Sequence, residues 1–126
     1  NKYLLKIKRE NIKNIYLNNY QEKIHKKIQK FDILCHFSKR EGMPISLLES
    51  ISIGVPVICY DIRGNKDIIK NNLNGYLIKP FNTNDFQKKI IQLYKNKSKL
   101  RYSIKKLLKN FMIGDIIIKH TPHLLL

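Results

Sequence analysis

Two glutamates stand eight positions apart in the stretch Arg40-Glu41-Gly42-Met43-Pro44-Ile45-Ser46-Leu47-Leu48-Glu49. A carboxylate accepts hydrogen bonds through two oxygens, which suits the adjacent hydroxyls of a hexose or a ribose. Pro44 fits a first helical position, where its missing N–H costs nothing, and Gly42 lets a ligand approach the backbone closely. The N–H groups of the helical turn that follows lack internal partners and carry partial positive charge, so a phosphate is welcome there. Since a phosphate repels nearby carboxylates, Glu41 and Glu49 are expected to engage neutral donors on the same ligand. A nucleotide sugar, with diphosphate in the middle and a sugar at each end, fits that demand. At the level of residues two other readings stay open: a helix-start carboxylate plus a solvated one, or a glycosidase-type acid and base, which sit roughly 5 to 10 Å apart. Nothing signals a sugar cleft lined with aromatics, and tryptophan is absent.

The elements that must position these residues are legible around them. Phe31 to Cys35 and Val55 to Tyr60 are short apolar runs, read as parallel strands covered on both faces. Between them lie the loop His36 to Pro44 and a helix that Gly54 stops, a βαβ unit whose crossover is right-handed. In parallel sheets ligands collect beyond the carboxyl ends of strands, and this loop leaves such an end. Upstream, residues 1 to 13 are basic and loosely periodic, Asn14 to Leu17 reads as a further strand, and Tyr20 to Lys30 as an amphipathic helix. Downstream, Asp61 to Asn65 is a second strand-end loop, expected beside the first. A short helix at Lys66 to Asn71, a turn at Asn71 to Gly75 and a strand at Tyr76 to Ile78 follow. Asn82 or Thr83 caps a helix at Asp85 to Tyr94, and another spans Leu100 to Leu108. The pattern predicts an α/β domain over residues 1–110, a Rossmann-like parallel sheet flanked by helices, with a tail at 111–126 that loses the helical periodicity.

Composition limits the classes of function. The 126 residues, 43% of them hydrophobic, suffice for one domain with a core. No apolar run reaches the roughly 20 residues of a membrane span, and no leader opens the sequence, so a cytoplasmic protein is expected. The net charge of +16 comes from 21 lysines and 4 arginines spread along the whole chain. Recognition of bases and phosphates favours arginine forks, so nucleic acid is not expected as a partner; peripheral attraction to an anionic membrane surface stays open. Cys35 and Cys59 lack metal-ligand spacing and read as small buried hydrophobes, so no metal is expected. His36 lines the same crevice or is a plain structural histidine, while Lys39 and Arg40 touch phosphate or water. His25, His120 and His123 show no credible partners in the sequence.

Taken together, Glu41-Gly42-Met43-Pro44 through Leu47-Leu48-Glu49, Gly54 to Ile58, Asp61-Ile62-Arg63-Gly64-Asn65 and Asn74-Gly75-Tyr76-Leu77 closely resemble the retaining glycosyltransferases of the GT-B fold, group 1 or family 4. The resemblance spans about residues 14–108. It implies the C-terminal, nucleotide-sugar-binding half of such an enzyme, transferring a hexosyl or N-acetylhexosaminyl group to a glycan or lipid-linked acceptor. Members with a similar Arg63-Gly64-Asn65 loop build bacterial surface polysaccharide, such as lipopolysaccharide or capsule, at the inner face of the plasma membrane. By the same resemblance Glu41 is catalytic and holds hydroxyls of the transferred sugar. The N–H groups of Gly42 and Met43 contact that sugar, those of Leu47 and Leu48 the diphosphate, and Glu49 the ribose, with His36, Arg40, Arg63 and Gly64 around the donor cleft. The donor is a substrate, and no cofactor or metal is implied. The family's N-terminal acceptor domain and an early basic loop find no match here, so the chain reads as a fragment, inactive alone. The alternative is an inactive, truncated nucleotide-sugar-binding module.

Overall fold

The structure, a computed structural model, describes residues 2–20 and 22–110. The expected tail at 111–126, with His120 and His123, lies outside the described residues. Three parallel strands form the sheet in the order β1 (Leu34–His36), β2 (Val57–Tyr60) and β3 (Gly75–Ile78). Cys35 lies opposite Ile58, and Ile58 opposite Tyr76. Helices α1 (Lys2–Arg9) and α2 (Ile24–Ile28) precede the sheet, α3 (Ile45–Ser52) joins β1 to β2, α4 (Asn65–Ile68) joins β2 to β3, and α5 (Thr83–Asn110) follows. This is the expected α/β architecture of a parallel sheet flanked by helices.

The central strand supplies both cores, because side chains alternate across a strand. Val57 and Cys59 pack with Leu47 and Ile51 of α3 and with Ile69, while Ile58 packs with Tyr76, Ile78 and Leu93. Helix α5 serves both faces. At 28 residues it is about 42 Å long, so Leu93 and Leu100 cover the Ile58 side and Ile104 reaches the Val57 side. Glycine is required at position 75, where a Cβ would stand 2.1 Å from the Val57 carbonyl oxygen.

Several expectations need correction. The two helices expected at 85–94 and 100–108 are one, because Lys95 to Lys99 contains neither proline nor glycine. Docking holds the join straight: Lys97 Nζ lies 2.7 Å from Asp32 Oδ1, and Arg101 donates to the Phe31 carbonyl. The run Asn14 to Leu17 forms no strand; Ile15, Tyr16 and Leu17 are 49, 82 and 48% exposed, since a β-prone run needs a neighbour to pair with and β1 pairs only with β2 among the described residues. The helix expected at 20–30 shrinks to α2, and that expected at 66–71 becomes α4. Residues 2–9 form α1, none of them buried.

The first strand begins at Leu34 and is an edge rather than a doubly covered strand. Its Leu34 joins the α3-side core, and by alternation His36 faces the same way. Cys35 points to the other face and is exposed, not buried, while Cys59 on the central strand is buried as expected.

Candidate functional site

Helix α3 rises directly from the loop that leaves β1. Pro44 is its N-cap, not its first helical residue: φ of −77° suits a helix, but ψ of 93° is extended, so Ile45 opens the helix. No side chain caps this end. At the other end Gly54, with φ of +82°, ends the helix as expected. Val55 N–H reaches the Ser50 carbonyl at 2.8 Å and Gly54 N–H the Ile51 carbonyl at 3.0 Å, the paired bonds of a Schellman stop.

The loop is stitched at its centre. His36 Nε2 lies 3.0 Å from Glu41 Oε1, and His36 Nδ1 lies 3.3 Å from Ser46 Oγ in the first turn of α3. The two side chains of the first contact are 21 and 24% exposed, so the pair is shielded yet reachable. The Ser38 hydroxyl pulls the Glu41 carboxyl below the usual glutamate range; desolvation opposes it, and His36 adds to the lowering. Ser38 Oγ donates to the Arg40 carbonyl at 3.1 Å. From the other side comes the second strand-end loop. Gly64, with φ of +87°, sits so close that a Cβ there would stand 2.7 Å from the Glu41 carbonyl oxygen and 2.8 Å from that of Gly42. The expected adjacency of the loops at 36–44 and 61–65 is therefore present.

The other expected site residues distribute as follows. Gly42 is exposed with no atom within 4 Å of where a Cβ would be, and Met43 is 53% exposed, leaving open approach to the backbone at both. The N–H groups of Leu47 and Leu48 lie 3.0 and 3.3 Å from the Pro44 carbonyl oxygen. A diphosphate there would share those donors with the helix, and the N–H groups of Ile45 and Ser46 precede them on the same turn. Glu49 is only 7% exposed. Arg40 and Arg63 are exposed beside the loop. Among the described residues no group of three or more His, Cys, Asp or Glu is placed to hold a metal.

Two features were not anticipated. Ser46 and Ser38 join the Glu41 cluster, a pairing that no spacing rule signals. Aromatic rings do gather at the strand ends, contrary to expectation. Phe37 stands 5.1 Å from Tyr60 and 5.0 Å from Phe86, Tyr60 stands 5.6 Å from Phe81, and Lys39 lies over the Phe81 ring at 5.3 Å. These rings border a cavity of about 210 Å³. They come from positions up to 49 residues apart, at or just past a strand end or opening α5, so only the sheet order assembles them.

A family model described as glycosyl transferases group 1 matches residues 2–110. The poly(ribitol-phosphate) alpha-N-acetylglucosaminyltransferase of Staphylococcus aureus (strain COL) is 36% identical over 85 residues, covering 67% of this chain and 17% of that protein. An Escherichia coli relative, the UDP-Gal:alpha-D-GlcNAc-diphosphoundecaprenol alpha-1,3-galactosyltransferase, is 29% identical over 85 residues, 68% of this chain and 22% of that protein. Among solved structures, a variant of S. aureus TarM crystallised with Fondaparinux, alpha-GlcNAc-glycerol and UDP matches with a TM-score of 0.77 and 32% identity, over 94% of this chain and 23% of that one. The chain thus spans between 17 and 23% of the length of these relatives.

Proposed function

This chain belongs to the group 1 glycosyl transferases, and on that premise we propose that it is the donor-binding, C-terminal half of a retaining GT-B transferase. The whole enzyme moves a hexosyl or N-acetylhexosaminyl group from a nucleotide-diphosphate sugar to a glycan or lipid-linked acceptor of a bacterial cell surface, at the cytoplasmic face of the membrane. The observation that supports this reading is the Glu41 loop, held between the end of β1 and the start of α3 by His36 and pressed by Gly64. A carboxylate fixed in that way suits sugar hydroxyls, and a helix start beside it suits the diphosphate. Gly42 and Met43 line the sugar, Leu47 and Leu48 belong to the turn under the diphosphate, and buried Glu49 meets the ribose. As the glycosidic bond to diphosphate breaks, the sugar ring gains positive charge, and an ionised Glu41 favours that state over the ground state. The relatives named above act on poly(ribitol-phosphate) and on a diphosphoundecaprenol acceptor, which supports an acceptor of surface-glycan type. The acceptor is held by a further domain of the enzyme.

The test is to incubate the full-length enzyme with radiolabelled UDP-, GDP- and dTDP-sugars and with teichoic acid, lipopolysaccharide and undecaprenyl-diphosphate acceptors. Transfer of label with retained anomeric configuration is expected. Failure to transfer from any nucleotide sugar, with the protein folded, would refute the reading.

A further inference from the structure

We propose that His36 and Ser46 form a positioning relay which commits one oxygen of Glu41, so that Glu41 grips the donor sugar through its other oxygen, by a single hydroxyl. This rests on the reading of Glu41 as the residue that holds the transferred sugar. The placement begins with strand parity. Leu34 and His36 share the α3-facing side of β1, so the imidazole enters the space between the loop and the first turn of α3. There both ring nitrogens find partners, Nε2 at 3.0 Å from Glu41 Oε1 and Nδ1 at 3.3 Å from Ser46 Oγ.

The protons in this chain are dictated by valence. An ionised carboxylate only accepts, so the proton facing Glu41 must sit on His36 Nε2. In a neutral imidazole the other nitrogen is then an acceptor, and the Ser46 hydroxyl is the group that donates to it. Ser46 is free for this duty because it stands in the first turn of a helix whose N-cap is a proline without a side-chain cap bond. The Ser38 hydroxyl and His36 both favour the ionised form of Glu41, which agrees with the same assignment.

The consequence is one of specificity. A free carboxylate can take two adjacent hydroxyls, one on each oxygen. With Oε1 engaged by His36 and the Ser38 hydroxyl also acting on the carboxyl, Oε2 is the oxygen that presents the more open acceptor capacity to the donor, and the Glu41 backbone cannot swing to offer both, since Gly64 lies against its carbonyl and that of Gly42. His36 and Ser46 touch no substrate themselves. They fix which oxygen is presented and at what angle, and misplacement of about 1 Å can cost roughly a hundredfold in rate.

Three measurements decide it. The first is the nitrogen-15 spectrum of the imidazole rings in the purified chain, with His36 identified by the signal that disappears in His36→Gln. The Nε2–H tautomer is expected near neutral pH; an Nδ1–H tautomer, or a freely exchanging mixture, overturns the relay whether or not the enzyme transfers sugar. The second uses the full-length enzyme and calorimetric binding of monodeoxy donor analogues, in wild type and in Glu41→Ala. The part of each deoxy penalty that vanishes with Glu41 isolates its partner hydroxyl. That coupling is expected at one position, at about ten- to a hundredfold in affinity, and equal coupling at two adjacent positions overturns the single-hydroxyl grip. In the same enzyme His36→Leu should lower kcat while nucleoside diphosphate affinity holds, and His36→Gln, whose amide nitrogen replaces the Nε2 donor, should recover most of it. Equal loss in both variants overturns the positioning role. An Nε2–H tautomer in a protein that transfers nothing would instead defeat the transferase reading and with it the donor grip.

Discussion

Glu41 and Glu49 lie on one loop-helix unit but in different environments, and the difference separates their roles. Glu41 is partly open and lies 3.0 Å from His36 Nε2, whereas Glu49 is 7% exposed. In the full-length enzyme Glu41→Gln is expected to lower kcat roughly 100-fold while leaving nucleoside diphosphate affinity nearly intact, and Glu49→Gln to weaken that affinity by about 1.5 to 3 kcal/mol. Calorimetry with nucleoside diphosphate alone, set beside turnover, checks both; an unchanged affinity in the Glu49 variant would remove its ribose assignment. Acid stability follows from the same carboxylate. Its native pKa is depressed, so its contribution to stability is complete above the ordinary glutamate value of about 4.3 and is lost as pH falls through the lower native one. Urea unfolding of the chain from near neutrality down to about pH 3 should therefore show a steeper acid loss in wild type than in Glu41→Gln. Parallel curves would mean that the Ser38 and His36 contacts do not hold in solution.

Elements meet in this fold through two glycines that act on different terms. At Gly75 an added methyl would fall 2.1 Å from the Val57 oxygen, so Gly75→Ala must push β2 and β3 apart. A loss of about 2 to 4 kcal/mol in urea unfolding is expected. Gly64 combines φ of +87° with contact to the Glu41 carbonyl, so Gly64→Ala strains one loop and displaces the other; it should reduce turnover of the full-length enzyme more than its stability. Equal stability of Gly75→Ala and wild type would contradict the β2–β3 register. The cysteines report on the same sheet. Cys59, on the central strand, is pushed up to about 12 by burial and secondarily by Asp61, while Cys35 is exposed on the edge strand although crowding around its sulfur raises the thiol as well. A thiol reagent applied to the folded chain should modify Cys35 first, slowly because little of it is thiolate, and Cys59 only on unfolding. Fast modification of both would show that β2 is not central.

At the scale of the whole molecule, this chain covers 23% of the TarM chain it matches, and every group argued to touch the donor lies on one side of a two-sided reaction. The 126-residue chain alone is expected to bind nucleotide sugars weakly and to transfer nothing. Orientation of donor against acceptor accounts for about 7 to 11 kcal/mol of such a barrier, and surface lysines beyond about 8 Å are too screened at physiological salt to hold a diphosphate in place. Incubation of the purified chain with labelled nucleotide sugars and acceptors checks this, and turnover above the uncatalysed rate would show that the described domain is sufficient. No helix among the described residues is long and apolar enough to cross a membrane.

What the amino-acid sequence determined was whatever depends on neighbours along the chain. The helix start after Glu41-Gly42-Met43-Pro44, the left-handed stop at Gly54, the unbroken apolar run of Val57 to Tyr60 and the Asn82 cap, whose Oδ1 accepts the Asp85 N–H at 2.9 Å, all arise within a few residues. Local steric and hydrogen-bonding rules are enough to read them. Tertiary structure decided what depends on a partner elsewhere. Whether Asn14 to Leu17 pairs, whether Cys35 is covered and whether α5 breaks after Tyr94 turn on which strand or helix lies alongside. The same is true of the site: Glu41 was visible as a carboxylate, but its bond to His36, the bond of His36 to Ser46, the pressure from Gly64 and the ring cluster of Phe37, Tyr60, Phe81 and Phe86 need strand parity and sheet order. Those are set by the packing of distant segments against one another, which no spacing within a single segment encodes.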